Sequence, residues 1–381
     1  MQLYDSLAHR RVWYVPNELD FMRWGRLPDR AAKPIIMVPS GSDVTFDVIS
    51  HEGVLEDQGR DPVHFFARYG VPRTEVLNDA IAIAASSIPH DFAHDGPHVI
   101  SPPVAVAGAE PGDILRVDVV ALTPRVPYGM TSIRHGKGAL PQDFPQTPPP
   151  EPGASAQHPD RYHSVFVFVP ITETPYGWVG IQHTRGGDVH IPLHPFLGTM
   201  GVAPDSATPA NSVPPSTYGG NLDIKDLTVG STLYLPVQVP GALFYVSDSH
   251  FNEGNGEVDL TAIEGSLRAT VRLTLLKKGS AEAPMHGQLS WPVAETPRYW
   301  IPIGLDPDLN TAMRNAVTEG VRLLTDHYGM TPTDAYAYLS ISADFNVSEV
   351  VDITKGVHGL IDKGELPGAR TGSHARAVSP R

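Results

Sequence analysis

The stretch EPGDILRVDVVAL, residues 110–122, carries the reading of the fold. A glycine turn at Pro111-Gly112 hands over to a run in which Leu115, Val117 and Val119 alternate with Arg116 and Asp118. That two-residue period is the mark of a strand with one face buried. The same grammar recurs in PSGSDVTFDVIS (39–50) and TVGSTLYLPVQV (228–239), and SLRATVRLTLLKK (266–278) adds a further alternating segment. Strands of this kind, each with one apolar face, predict a mainly β chain built as two packed sheets, a β-sandwich core over 35–284.

Composition agrees. The 381 residues are 41% hydrophobic and 18% charged, enough for a sizeable core, and 38 prolines with 35 glycines favour short strands and long ordered loops over helix bundles. A net charge of −14 argues against a nucleic-acid partner. No apolar run approaches the ~20 residues of a membrane span, and MQLYDSLAHRRVWYVPNELD has no secretion-type apolar core, so a cytoplasmic location is expected. The absence of cysteine removes disulfides, thiolate metal sites and a cysteine nucleophile together.

The remaining segments attach to that core. Residues 1–34 read as an extension that packs on it through Trp13, Tyr14 and Trp24. Val76, Ala80 and Ala84 have helical spacing. The region 126–164 holds RHGKGALPQDFPQTPPPEPGASAQHP, a proline-rich excursion of the kind that forms lids or binding walls. From 285 to 365 a small C-terminal α+β element is expected. Asp306 or Asp308 caps a helix with the stripe Leu309, Ala312, Met313, Ala316, Val317, Val321 and Leu324, ending before Gly329. Thr331 with Pro332 opens a second helix through Tyr338, and ISADFNVSEVVDI (341–353) reads as a strand. The tail 366–381 is expected to be disordered.

Chemistry concentrates in GALFYVSDSHFNEGNGEVDLTAIE, residues 241–264. Asp248 and His250 are two apart on a strand and project from one face. A polar turn comes next, and GEVDLTAIE reads as a second strand carrying Glu257, Asp259 and Thr261 on one side. Such a hairpin gathers Asp248, His250, Glu253 and Glu257, oxygen and nitrogen donors suited to zinc, manganese or calcium, or else a merely solvated acidic tip. GGNLDIKDL (219–227) offers Asn221, Asp223 and Asp226 behind a double glycine, as ligand donors or as an ordinary turn. Glu110, in its turn, is open to the same two readings. Seventeen histidines are too many to be all functional; His51, His64, His94, His98, His135, His190 and His194 lie in segments where nothing local singles one out. No G-x-S-x-G elbow, H-E-x-x-H helix or P-loop occurs, which leaves a metal-activated water as the economical hydrolytic route.

The segments VAVAGAEPGDIL (104–115), IPLHPFLGTMGVAP (191–204), GGNLDIKDL, GSTLYLPVQVPGALF (230–244) and SDSHFNEGNGEVDLTAIE (247–264) resemble, in this order, the acetamidase/formamidase family. The resemblance implies a jelly-roll-like β-sandwich with an α+β appendage, and metal-assisted hydrolysis of a small carboxamide to carboxylate and ammonia. It implies Asp248, His250, Asp223 and His194 as metal ligands, most simply of zinc, with calcium or manganese as alternatives. It also implies Glu257 or Glu110 as the general acid–base; His98 and Asn221 are read separately as candidates for binding substrate. The pattern departs from the family at Glu253-Gly254-Asn255-Gly256-Glu257, where Gln-Gly-Asp-Gly-Glu is common, at Asp259-Leu260, where cysteine-glycine often stands, and at Ala107, usually glutamate. The loops SHEGVLEDQGRDP and RHGKGALP mark a subgroup. A cyclic-amide hydrolase and a non-catalytic carbohydrate- or calcium-binding sandwich are the alternative readings, and a homo-oligomer is expected.

Overall fold

The computed structural model describes residues 12–368. Two sheets form the core. In the larger, nine-stranded sheet, Ser42–Asp47, Leu267–Leu276, Ile114–Pro124 and Thr232–Pro236 are successive neighbours. The glycine-turn segments of the sequence are thus partners in one sheet, and their alternation comes from burying a single face. Val44, Phe46, Val117, Leu233, Val271 and Leu273 point from it into the main core. The facing eight-stranded sheet runs Gly187–Pro192, Gly177–Thr184, Val165–Thr174, Tyr128–Ile133, Ile263–Glu264, Tyr245–Asn252, Phe196–Gly201 and Gly219–Asn221. Its Leu197, Met200, Tyr245 and Val246 meet the first sheet in the same core. This is the mainly β, two-sheet architecture that the patterning required.

Residues 12–34 do pack on the core. Val12–Val15 pairs in parallel with Ser42–Asp47, Tyr14 donates to Asp47 at 3.0 Å, and the buried Trp24 indole donates to the Pro97 carbonyl at 3.0 Å. Residues 1–11, and the tail from 369 onward, lie outside the described residues.

Three features differ from the sequence reading. The larger sheet continues through Val293–Glu295, Tyr299–Asp306, Lys355–Asp362 and Asp344–Val347, so the C-terminal region extends the core sheet without a break at 284/285. The expected strand 341–353 is confined to Asp344–Val347, because the Pro332–Ser342 helix runs further than Tyr338 and residues 348–354 form a loop. The excursion 126–164 begins with an ordinary core strand, Tyr128–Ile133; the irregular part starts only after Ile133.

The Leu309–Tyr328 helix starts at Asp308, whose carboxylate accepts from the Thr311 amide at 2.9 Å, and stops at Gly329 in the left-handed conformation. Its buried face is Ala312, Ala316, Gly320, Leu323 and Leu324, while Met313 is 41% exposed. Close approach explains the small residues: a Cβ on Gly304 of the sheet would lie 2.2 Å from the Ala312 carbonyl oxygen.

Candidate active site and metal centre

The Tyr245–Asn252 strand is the spine of the site. It is buried almost throughout, and it leaves regular geometry at Asp248, whose φ is 50°. Opposite that point stands Gly198 of the Phe196–Gly201 strand. A Cβ there would lie 2.3 Å from Asp223 Oδ1, 2.8 Å from Asp248 Oδ2 and 2.8 Å from His250 Cε1. The missing side chain is the room in which three polar groups converge.

His250 is the hub. Its Nε2 lies 3.0 Å from Asp248 Oδ2 and 3.1 Å from Glu264 Oε1, and its Nδ1 lies 3.2 Å from Glu253 Oε2. Cross-strand register supplies Glu264, which sits directly opposite His250. His51 arrives from the other sheet: Ser50 is tied to Ser266, and the imidazole comes within 3.4 Å of Asp248 Oδ1 and 3.9 Å of Glu264 Oε2. His98 is positioned because Ser101 and Val99 bond to Val246 and Ser247 of the spine; its Nδ1 is 2.9 Å from Ser212 Oγ and its Nε2 3.7 Å from Asp248 Oδ2.

Donor atoms of His51, His98 and Asp248 lie within 4.8 Å of one another, as do those of Asp248, His250 and Glu264, and those of Asp223, His250, Glu253 and Glu257. All these residues are buried. Among the described residues, both nitrogens of His51, both oxygens of Asp223, Asp248 Oδ1, Glu253 Oε1 and Glu264 Oε2 have no hydrogen-bond partner. Buried polar atoms are rarely left in that condition. Such a set of orphaned oxygen and imidazole donors is chemically complete as a divalent-cation site, and the residues present fit one.

Electrostatics point the same way. Burial, with Asp248 and Glu253 adding to it and His250 opposing, holds Asp223 well above the usual carboxylate range. Burial and the neighbouring Asp223, Glu253 and Asp352 do the same to Glu257. Burial lowers His98 to about 4, leaving its imidazole neutral with a lone pair to give. Burial alone would lower His51 too, but Glu264, Asp248 and Glu52 raise it to about 10. Like charges crowded in a dry interior cannot all ionise without a cation among them.

A cavity of about 310 Å³ opens over this cluster, with His51, His98, Asp248, Glu257, Glu264 and Asp352 among its lining residues. Asp352 comes from the 348–354 loop, where the sequence pattern suggests a strand. Gly256 and Ser348 pair backbones at 2.8 Å, Glu349 accepts from the amides of Val351 and Asp352, and Asn221 donates to Asp352 at 2.5 Å. Asn221 also accepts from Thr199, so both ends of its amide are committed to positioning rather than free for substrate. His98 lines the cavity beside Asp248 and His51, in a group that could hold a metal ion.

Asp223, Asp248, His250 and Glu257 are brought together as the sequence suggested, although Glu257 stands on a loop residue with φ 44° and not on a second strand. Two candidates are not. Glu110 is exposed on its turn, where its amide donates to Asp113, itself held by Lys277. His194 is exposed and lines a separate cavity of about 360 Å³ beside Lys225 and Asp226. His51, His98 and Glu264, not singled out by the sequence pattern, stand in the cluster instead. Behind them, Glu52 accepts from Ser132 at 2.6 Å and is held by Arg134, which also grips Asp57 at 2.7 Å.

The two-sheet fold is shared with a solved structure: the acetamidase of Bacillus halodurans superposes with a TM-score of 0.68 at 22% identity, over 92% of this chain and 97% of that one. Residues 206–361 match the profile of the Acetamidase/Formamidase family. A Schizosaccharomyces pombe protein bearing a provisional formamidase name is 26% identical over 248 residues, 53% of this chain and 57% of that protein. The formamidase of Methylophilus methylotrophus is 26% identical over 304 residues, 67% of this chain and 74% of that protein. The chain thus spans a little over half the length of the first and about three quarters of the second. No described helix is long and apolar enough to cross a membrane.

Proposed function

We propose that the protein is a metal-dependent amidase that hydrolyses a carboxamide to carboxylate and ammonia. The observation that carries this is the set of buried donors around Asp248 and His250, unpartnered among the described residues, against a cavity, in a chain whose residues 206–361 match the Acetamidase/Formamidase profile. Asp248, His250, His51, His98, Glu264 and Asp223 would hold the cation, and mixed imidazole–carboxylate donors favour zinc over calcium. Such an ion, when bound, lowers the pKa of a water toward neutrality and polarises a carbonyl.

The chain's own groups do the rest. Glu257 faces the cavity with an affinity for protons raised by burial, the property required of a group that takes a proton from water and returns it to the leaving nitrogen. Asp352, fixed by Asn221 and the Glu349 turn, stands beside it as a fixed acceptor for an amide N–H of the substrate. Arg134, locked by Glu52 and Asp57, closes the wall without competing for the cation.

Ammonia release from a panel of primary amides tests this. Wild type releases ammonia; Asp248→Asn loses at least ~100-fold in kcat while keeping the wild-type circular dichroism spectrum, since the lost interactions act in the reaction. Near wild-type turnover in Asp248→Asn would refute the assignment.

A further inference from the structure

The cavity is larger than acetamide needs. Its 310 Å³ corresponds to about ten waters at ~30 Å³ each and reaches the ~300–1,000 Å³ range of pockets that enclose drug-sized ligands. Besides the candidate cation cluster, its lining comes from the SHEGVLEDQGRDP and RHGKGALP loops, the segment around Phe92, and the 150–164 and 211–213 segments.

One side is aromatic. Phe92 meets Tyr162 edge to face with centroids 5.1 Å apart, and Leu55 and Val213 continue the apolar wall. A flat ring is the shape such a wall receives best. A basic loop also contributes to the lining. In Arg134-His135-Gly136-Lys137-Gly138, both glycines have positive φ, 72° and 78°, and His135 and Lys137 both line the cavity. The loop is then pinned to the loop bearing Glu257: the Ala139 amide donates to the Val258 carbonyl at 2.8 Å, and a Cβ on Gly138 would lie 3.1 Å from the Asp259 carbonyl oxygen.

Lys137 has no carboxylate of its own. Arg134 is occupied by Glu52 and Asp57, and Asp95, another lining residue, is occupied by Arg26 at 2.5 Å. The Lys137 ammonium makes no ion pair or side-chain hydrogen bond among the described residues. Lys137 is exposed, so its ammonium is open to an anionic group entering the cavity.

Resting on the amidase reading above, we infer that the substrate is an aromatic amide bearing a distal carboxylate, its ring against Phe92 and Tyr162 and its carboxylate received by Lys137. The amide carbon then reaches Glu257 and the candidate cation cluster. The bond broken remains the amide C–N bond; water supplies oxygen to the new carboxylate, and the nitrogen leaves as ammonia.

Steady-state ammonia release from acetamide, benzamide and 4-carbamoylbenzoate, by wild type and by Lys137→Gln, tests the inference. Wild type is expected to prefer 4-carbamoylbenzoate to benzamide, and benzamide to acetamide, in kcat/KM. In Lys137→Gln the ratio of kcat/KM for 4-carbamoylbenzoate to that for benzamide falls about tenfold, the worth of one charge-assisted contact, with the change in KM. Acetamide preferred over both aromatic amides, or a ratio unmoved by Lys137→Gln, overturns the inference and leaves the amidase reading standing. Ammonia from none of the amides by metal-loaded protein brings down both.

Discussion

Gly198 shows how much the site depends on single atoms. Asp223, Asp248 and His250 all converge on the space its Cβ would fill, the nearest approach being 2.3 Å. Gly198→Ala is therefore expected to force the donors apart. Overpacking of this kind costs ~1–3 kcal/mol in stability, and the variant should bind zinc with much reduced stoichiometry in elemental analysis. Full loading with full turnover would show that the donors do not need that space. At this scale the sequence is partly legible. Asp248 and His250 share a face because strand residues alternate, and the GGNLD stretch declares a polar residue behind glycines. His51, His98 and Glu264 are not legible. Each is a donor only because a long-range pairing brings it in: Glu264 through its register with His250, His51 through the Ser50–Ser266 tie, His98 through Ser101. Glu110 and His194 stand in convincing local company, yet local company says nothing about which end of a strand reaches the cluster.

Elements carry the next level of evidence. Asp47 joins the first described strand to the core: Tyr14 donates to it, Arg268 grips it with contacts of 2.7 and 2.8 Å, and Arg125 lies 3.7 Å away. Burial pushes its pKa up, but Arg268, Arg125 and Tyr14 outweigh burial and hold it below the ordinary 3.8. With the folded value depressed, the unfolded chain binds more protons across that window. The stabilisation is thus complete above the ordinary value and is lost as pH falls from there through the depressed folded value. Wild-type thermal stability should drop on acidification below about pH 4, whereas Asp47→Asn should be less stable at neutral pH and lose less over the same acid range. Equal acid sensitivity in both would remove Asp47 from the account. The Leu309–Tyr328 helix offers a simpler check: Asp308→Ala removes its cap and should cost ~1 kcal/mol in urea unfolding. That helix is readable from the sequence, stop and start alike, because capping chemistry is local. The strand expected at 341–353 is not. Apolar alternation in NVSEVVDI imitates a strand, but the Gly256–Ser348 backbone pairing bends it into the loop that delivers Asp352.

For the whole molecule, two sheets of different strand order are implied only as a class. Alternating segments reveal one buried face each; they do not reveal which strands are neighbours, nor that the C-terminal strands continue the larger sheet. What that closed arrangement achieves is the burial of many carboxylates in one place. Without a cation, such a cluster opposes folding; with one, it supports it. Chelated protein should melt well below the zinc-loaded form. The margin should grow with zinc concentration, because a ligand bound only by the folded chain stabilises it by mass action, ~2.7 kcal/mol at a hundredfold excess over Kd. Superimposable melting curves would contradict a site built for an ion.

The central claim, a buried cation site that drives amide hydrolysis, is tested most directly by one titration: ammonia release by chelator-stripped protein as zinc is added back. The account predicts no turnover without metal and recovery that saturates once the Asp248–His250 site is filled, with no recovery in Asp248→Asn. Full turnover by protein shown to be free of metal would contradict it.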